Sequence, residues 1–284
     1  MTRAKAPHAW DPRTYRGPMS SSEAITAVLL GIVQGIVEWL PISSQGAVTA
    51  VRSFLVDTTL AEAAAFGLWI QLGTTLSVLV VYNRDLRGLL KEIAARPIRI
   101  SPLLAFLVTA TAVGVLIALP LYLVLEDASG VFGGFAMIVI GGFMLITAAT
   151  QIRQRLAGQR LRNDLSFMDA VLVGAAQGLA VMPGLSRSGL TIAMLLGRRF
   201  DRQEALNLSF LLSLPASFGA AMFVGLRSGL ISSGEALLAA LVAGIVGLFT
   251  IRGMLYLATR VNFGIFVLII AVLLILSGLL DILT

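Results

Sequence analysis

Apolar residues run along this chain in long blocks rather than at amphipathic or alternating intervals. Positions 102–125, 131–150 and 261–280 lack the polar face that a helix in water would need. Blocks of about 20 apolar residues suffice to cross a hydrocarbon core of roughly 30 Å. The pattern predicts spanning helices at about 60–82, 102–125 and 131–151, and again at 203–226, 234–254 and 260–282. Ahead of each trio, at 24–56 and at 166–198, lies an apolar stretch interrupted by proline, glycine and serine, which predicts two broken hairpins. Continuous apolar blocks argue against a membrane β-barrel, whose strands alternate. The expected fold class is therefore all-α, a polytopic membrane protein.

That order occurs twice. A shift of 143 positions lays Gly31, Gln34, Gly35, Ser43 and Gly46 over Gly174, Gln177, Gly178, Ser186 and Gly189, while Pro41 and Pro183 fall one place apart. The chain reads as an internal duplication, with repeat 1 at about 24–151 and repeat 2 at about 166–284, in a single membrane domain 23–284 after a polar tail at 1–22. If each hairpin enters and leaves on one side, three crossings turn the second half upside down, an inverted-topology repeat with re-entrant hairpins. The tail carries Arg3, Lys5, Arg13, Arg16 and three prolines, and is expected to be disordered without a cleavable signal.

Composition agrees: 57% of the 284 residues are hydrophobic, 13% are charged, and there is no cysteine, which leaves out disulfide and thiol chemistry. Charge adds an orientation. Fourteen of the 21 basic residues fall on one side of the inverted repeat: Arg84, Arg87, Lys91, Arg96 and Arg99; Arg153, Arg155, Arg160 and Arg162; Arg198, Arg199 and Arg202; Arg252 and Arg260. The other side holds the tail, Arg52, Arg227 and the acidic turn Glu126-Asp127. By the positive-inside rule, the basic side is cytoplasmic and the termini lie outside a cell (inner) membrane. The basic tail pulls the other way, and the short loops outweigh it.

Against this background two charges stand out. Glu38, in "EWLPISSQG", and Arg187, in "PGLSRSG", are each more than ten residues from the nearest other charge and lie at the centre of apolar segments. A charge at that depth costs at least ~2.5–3.5 kcal/mol unless it faces a cavity or a partner. The plain alternative is a structural ion pair joining the halves. The neighbours point further: Ser43, Ser44, Gln45 and Gly46 follow one break, and Gly184, Ser186, Ser188 and Gly189 surround the other. Two half-helices starting at these serines would direct backbone N–H groups and positive dipole ends to one point, which suits an anion. Arg187 offers a planar fork for phosphate oxygens, and glycines let the backbone approach. Since the shift lays Ser44 over Arg187, a pseudo-twofold axis would bring these positions together, making Ser44 the candidate nucleophile. Glu38 would be its base or would hold a divalent cation, Mg or Ca, bridging phosphate oxygens.

"EWLPISSQG", "PGLSRSG" and "LNLSFLLSLPASFGA" resemble the undecaprenyl-pyrophosphate phosphatase family, the membrane enzymes associated with bacitracin resistance, in order over nearly the whole chain after residue 23. The resemblance implies a hydrolase that releases the terminal phosphate of a polyprenyl diphosphate at the outer face, recycling the carrier lipid of cell-wall or glycan synthesis. It carries the family's catalytic positions onto Glu38, Ser44 and Arg187, and pocket positions onto Gln71 and Ser209, which on composition serve equally well as interhelical hydrogen-bonding residues. Two positions depart: Gln34 stands where the family usually has a second glutamate, and Ala47 where it usually has a histidine. Gln34 keeps a neutral oxygen for a cation but removes a charge. His8, the chain's one histidine, lies in the tail, so phosphohistidine chemistry is not expected. A polyprenyl-phosphate translocase and a non-catalytic lipid binder of the same fold stand as alternatives. The expected partners are the polyprenyl lipid and the membrane, with no nucleic acid; nothing in the sequence bears on oligomeric state.

Overall fold

A computed structural model of the protein describes residues 19–95, 100–127, 133–152, 158–261 and 263–283. Among them there are eleven α-helices and no β-strand. In chain order they are α1 (Ser21–Val37), α2 (Ser44–Leu55), α3 (Leu60–Val81), α4 (Asn83–Ala94), α5 (Pro102–Asp127), α6 (Gly133–Ile152), α7 (Phe167–Leu179), α8 (Arg187–Gly197), α9 (Arg202–Arg227), α10 (Gly234–Arg260) and α11 (Gly264–Leu283). Helices α3, α5, α9, α10 and α11 are long and apolar enough to cross a membrane. The apolar part of α6, Met137–Ile152, is shorter than the spanning helix expected there. The protein is thus an all-helical, multi-pass membrane protein.

Helix starts follow local chemistry. At α1, Ser20 Oγ accepts from the Glu23 N–H, and the Glu23 carboxylate accepts from the Ser20 N–H at 2.8 Å. The same capping box opens α3 with Thr59 and Glu62, and α7 with Ser166 and Asp169, so orphan N–H groups are satisfied where each helix begins. Helix α1 therefore begins at Ser21, inside the stretch expected to be tail. The expected disorder of residues 1–18 and the sides assigned to Arg96, Arg99, Arg153 and Arg155 lie outside the described residues, as do the side chains of Glu126 and Asp127.

The stretch expected as a basic loop after α3 is instead helix α4. Leu89 of α4 is buried and Leu86 packs on the core, while Arg84, Arg87 and Lys91 are exposed together with Leu90 and Ile93. This mixture suits a helix lying in the headgroup region, and a search for long apolar blocks passes over it.

Small residues set the helix contacts. A Cβ on Gly31 of α1 would lie 2.7 Å from Ala239 O of α10, and one on Gly174 of α7 would lie 2.6 Å from Ala110 O of α5. One turn on, a Cβ on Gly35 would lie 2.7 Å from Val246 Cβ, and one on Gly178 would lie 2.7 Å from Gly114 O. The glycines of the 143-residue repeat thus seat two helix pairs in one way, α1 on α10 and α7 on α5. In lipid, where apolar burial gives no preference for helix over solvent, such close backbone approach is a main source of helix association.

The two ends of the bundle differ. At one end Arg52 of α2 pairs with Glu235 of α10 at 2.7 Å and lies 3.8 Å over the Phe66 ring. At the other, Asp169 is gripped by Arg160 at 2.7 Å and Arg198 at 2.6 Å, and Arg162 bridges Asp85 and Glu204 at 2.7 Å each. Tyr82 at this end donates to Asn207 Oδ1 at 3.2 Å, and burial first, then Asp85, pushes its phenol up to about 12. The ion pairs tie α4, α7 and α9 to the segment before α7, and the residue just after α8, Arg198, to α7.

Candidate active site

The two interrupted stretches break between α1 and α2 and between α7 and α8. After α1 the chain turns through Pro41 to Ser43, which adopts the left-handed conformation (φ 67°) and caps α2 through a bond from the Gly46 N–H to its Oγ at 3.2 Å. After α7 the chain turns through Gly184, with φ 100°, to Ser186, whose Oγ accepts from the Gly189 N–H at 3.0 Å and caps α8. A side chain at Gly184 would collide with Ile140 O as well as strain the backbone, so glycine is required there. Thr147 of α6 braces the turn, donating to Gly184 O at 2.9 Å and accepting from the Ser186 N–H at 3.0 Å. The breaks touch: a Cβ on Gly46 would lie 3.0 Å from the Gly184 N.

Ser44 and Arg187 therefore occupy the first turns of two facing helices, and Glu38 sits between them. Ser44 Oγ donates to Glu38 Oε2 at 2.5 Å, Gln34 Nε2 donates to the same oxygen at 2.8 Å, and Arg187 Nη2 donates to Glu38 Oε1. Both side chains of the ion pair are largely buried, 15% exposed for Arg187 and 5% for Glu38. The other prong of the fork, Arg187 Nη1, has no hydrogen-bond partner among the described residues. A hydroxyl, a carboxylate and a guanidinium with a free prong thus meet at two helix N-termini, an arrangement suited to phosphorus chemistry.

These groups open into a cavity of about 350 Å³ lined also by Ser43, Gln45, Gln71 and Ser188. The remainder of its wall is mostly apolar, from Leu68, Val115, Leu119, Val181, Ala220 and Phe223, the last packed edge-on against Tyr122 with ring centroids 5.8 Å apart. A charged head beside an apolar body matches an amphiphile with an anionic headgroup.

The sequence-derived candidates divide. Glu38, Ser43, Ser44, Gln45, Gln71, Arg187 and Ser188 line the cavity. Gln45 Nε2 donates to Val181 O at 3.3 Å, Ser188 Oγ to Leu40 O at 3.3 Å, and Gln71 Oε1 accepts from Ser217 at 3.1 Å. Gln34, Gly46, Gly184, Ser186, Gly189 and Ser209 are not in the cavity wall. Gln34 supports Glu38 from behind, Gly46, Gly184, Ser186 and Gly189 shape the turns and caps, and Ser209 shares a 2.7 Å bond with Thr191 between α9 and α8. Sequence reading passed over the cavity residues Thr111 and Gln177. The one available signal was that Gln177 repeats Gln34 while its fourth neighbour, Val181, replaces the carboxylate of Glu38.

For a cation the donor set is sparse. Among the described residues no three acidic or histidine side chains cluster. Glu38 brings one carboxylate, and Gln34 Oε1, fully buried beside it, has no partner. Two such oxygens fit a magnesium-type ion only as a minority share of its ligands, with phosphate oxygens and water supplying the others.

Comparison with known proteins agrees with the resemblance read from the motifs. The family described as Bacitracin resistance protein BacA matches residues 27–276. An undecaprenyl-diphosphatase of Methanococcoides burtonii is 37% identical over 254 residues, 87% of this chain and 94% of that protein. One of Haloarcula marismortui is 35% identical over 84% of this chain and 91% of its own length, and one of Methanopyrus kandleri is 41% identical over 71% and 75%.

Proposed function

Because the chain belongs to the BacA family, we propose that it is an undecaprenyl-type polyprenyl diphosphate phosphatase, releasing the terminal phosphate and returning the carrier lipid as its monophosphate. The observation that carries this reading is the Ser44–Glu38–Arg187 contact with Arg187 Nη1 unengaged, at the head of an apolar cavity. Glu38 takes the proton from Ser44 Oγ as the oxygen attacks the terminal phosphorus. The bond to the bridging oxygen breaks, Glu38 passes its proton to that oxygen as prenyl monophosphate departs, and phosphate stays on Ser44. Water, deprotonated by the regenerated Glu38 carboxylate, then attacks the phosphoserine; the bond from phosphorus to Ser44 Oγ breaks, Glu38 returns the proton to that oxygen, and inorganic phosphate leaves. Arg187 balances the charge growing on the phosphoryl oxygens, and the N–H groups of the first turns of α2 and α8 add to it. A divalent cation, where bound by Glu38 together with the diphosphate, would supply further charge neutralisation.

The test is phosphate release from a long-chain prenyl diphosphate by purified protein, with and without Mg or Ca. Release is expected, and Gln34→Glu is expected to sharpen its cation dependence by adding a second carboxylate. No release under any cation, with lipid movement in liposomes, would favour a translocase instead; lipid binding without either would favour a non-catalytic member.

The inverted repeat with re-entrant hairpins belongs to the same reading. It is supported by the matched seating of α1 on α10 and α7 on α5, and by α2 ending at the Arg52–Glu235 end while α7 starts at the Asp169 end. The Asp169 end carries Arg160, Arg162, Arg198 and Arg202, so by the positive-inside rule it faces the cytoplasm and the cavity faces outward. Since the chain has no cysteine, single cysteines report cleanly. Ser232→Cys, at the opposite end, should react with an impermeant maleimide on intact cells, and Gln159→Cys should not. The reverse pattern would overturn the orientation.

A further inference from the structure

The cavity exists because the two halves differ. On one side, Gly73 of α3 and Ala240 of α10 are in backbone contact, and Gly244 closes on Gly73 with a hypothetical Cβ only 3.0 Å from its carbonyl oxygen. The repeat shift carries Gly73 to Ala216 of α9. The glycine contacts carry Ala239 to Ala110 and Val246 to Ile117, and hence Ala240 to Thr111. Thr111 and Ala216 face the cavity instead of each other. Where one half is sealed by small apolar residues, its counterpart stands open and carries a hydroxyl.

A second polar group lies on the same wall. Gln177 is 7% exposed and lines the cavity, yet neither Nε2 nor Oε1 has a hydrogen-bond partner among the described residues; the same is true of Thr111 Oγ1. Since both ends of the carboxamide are unengaged, turning it over changes nothing. Its counterpart Gln34 is held by Glu38, but the position matching Glu38 is Val181, so Gln177 has lost that partner. Gly114 lies against it, and a Cβ there would sit 3.2 Å from Gln177 Nε2. A buried carboxamide with neither end paired is destabilising to the empty protein, and a ligand that completes it removes that cost.

We infer that Gln177 and Thr111 form a second phosphate-oxygen subsite, so that one phosphate of a prenyl diphosphate is held by Arg187 and the other by the carboxamide N–H and the threonine hydroxyl. This deepens the phosphatase reading and rests on it. The chemistry suits the ligand: neutral donors and a guanidinium lining one cavity can spread a diphosphate's charge over two contact points, while the apolar wall takes the isoprenoid. The phosphate held at this subsite is either the one that remains on the lipid or the one released.

The test uses farnesyl diphosphate as substrate and farnesyl monophosphate and inorganic phosphate as competing products, with the wild type, Gln177→Leu and Thr111→Val. Gln177→Leu should raise KM about tenfold or more, the loss falling on KM rather than kcat, and Thr111→Val should act in the same direction to a smaller extent. Inhibition by one product should weaken about tenfold while the other holds, and which one weakens identifies the phosphate at this subsite. Without ligand, the Tm of Gln177→Leu should equal or exceed that of the wild type, because an unpaired polar group is replaced by an apolar one. An unchanged KM, equal weakening of both products, or a lowered ligand-free Tm overturns the subsite. If the wild type releases no phosphate, the phosphatase reading fails separately; the subsite then stands or falls on whether farnesyl diphosphate raises the Tm of the wild type more than that of Gln177→Leu.

Discussion

Ser44→Ala and Arg187→Ala should each lower phosphate release from a prenyl diphosphate by about 10²-fold or more, with a smaller change in KM. Ser44 Oγ is already bonded to Glu38 Oε2 at 2.5 Å, the geometry a base needs to take its proton as it attacks. Arg187 has one prong on that base and the other buried without a partner, so engaging a phosphoryl oxygen with it would not require giving up Glu38. Interactions that strengthen in the transition state appear in kcat, and removing one donor to developing charge typically costs ~2.7–4 kcal/mol. Arg187→Lys should fail as well, because a single ammonium cannot serve the carboxylate and the phosphate with a fork's spacing. Trapping a phosphoserine on Ser44 by rapid acid quench would supply direct evidence for the covalent step. If Ser44→Ala keeps full activity, the serine is not the nucleophile, and attack by water with Glu38 as base becomes the better account.

The second large effect concerns the ion pair itself. Arg187→Met leaves the Glu38 carboxylate buried without its cation, and Glu38→Gln leaves the guanidinium without its anion. Both side chains are mostly buried, so each single change should destabilise the protein by about 3–5 kcal/mol. The double variant removes both charges and should recover most of that stability, because burying an ion pair offers little advantage over apolar packing. Phosphate release should stay abolished in the double variant. Thermal unfolding in detergent, read beside activity, separates the roles. Should the double variant regain turnover together with its Tm, the pair is structural glue and Glu38 is not the base.

How much of this was legible in the sequence depended on the kind of signal. The all-helical membrane fold followed from apolar blocks, because a bilayer demands length and apolarity of each segment separately. The two breaks announced themselves through Pro41, Pro183, Gly184 and the flanking serines, whose conformational preferences are local. Helix α4 was missed because Leu86 and Leu89 are spaced for one buried face among basic residues, a pattern that hydropathy averages away. The pairing of Ser44 with Arg187 came from a 143-residue shift, since duplication writes a spatial relation into the chain.

What the sequence by itself determined, then, was the solvent, the recurrence of five residues at one offset of 143 and the isolated charges Glu38 and Arg187. Each is a property of a segment and its neighbours in the chain. Only the tertiary structure decided that Ser43 and Ser186 cap helices, that Ser209 bonds Thr191 away from the cavity, and that Gln177 and Thr111 face it. Gln34 and Gln177 are the same residue at matching repeat positions, yet one is held by a carboxylate and the other is left open. The chain supplies half of the reason, since Glu38 stands one turn after Gln34 and Val181 one turn after Gln177; packing supplies the other half, because Gln177 faces the cavity, where no described neighbour takes the place of the missing carboxylate. Whether a buried polar group has a partner depends on which helices meet around it, and segments distant in the chain decide that together.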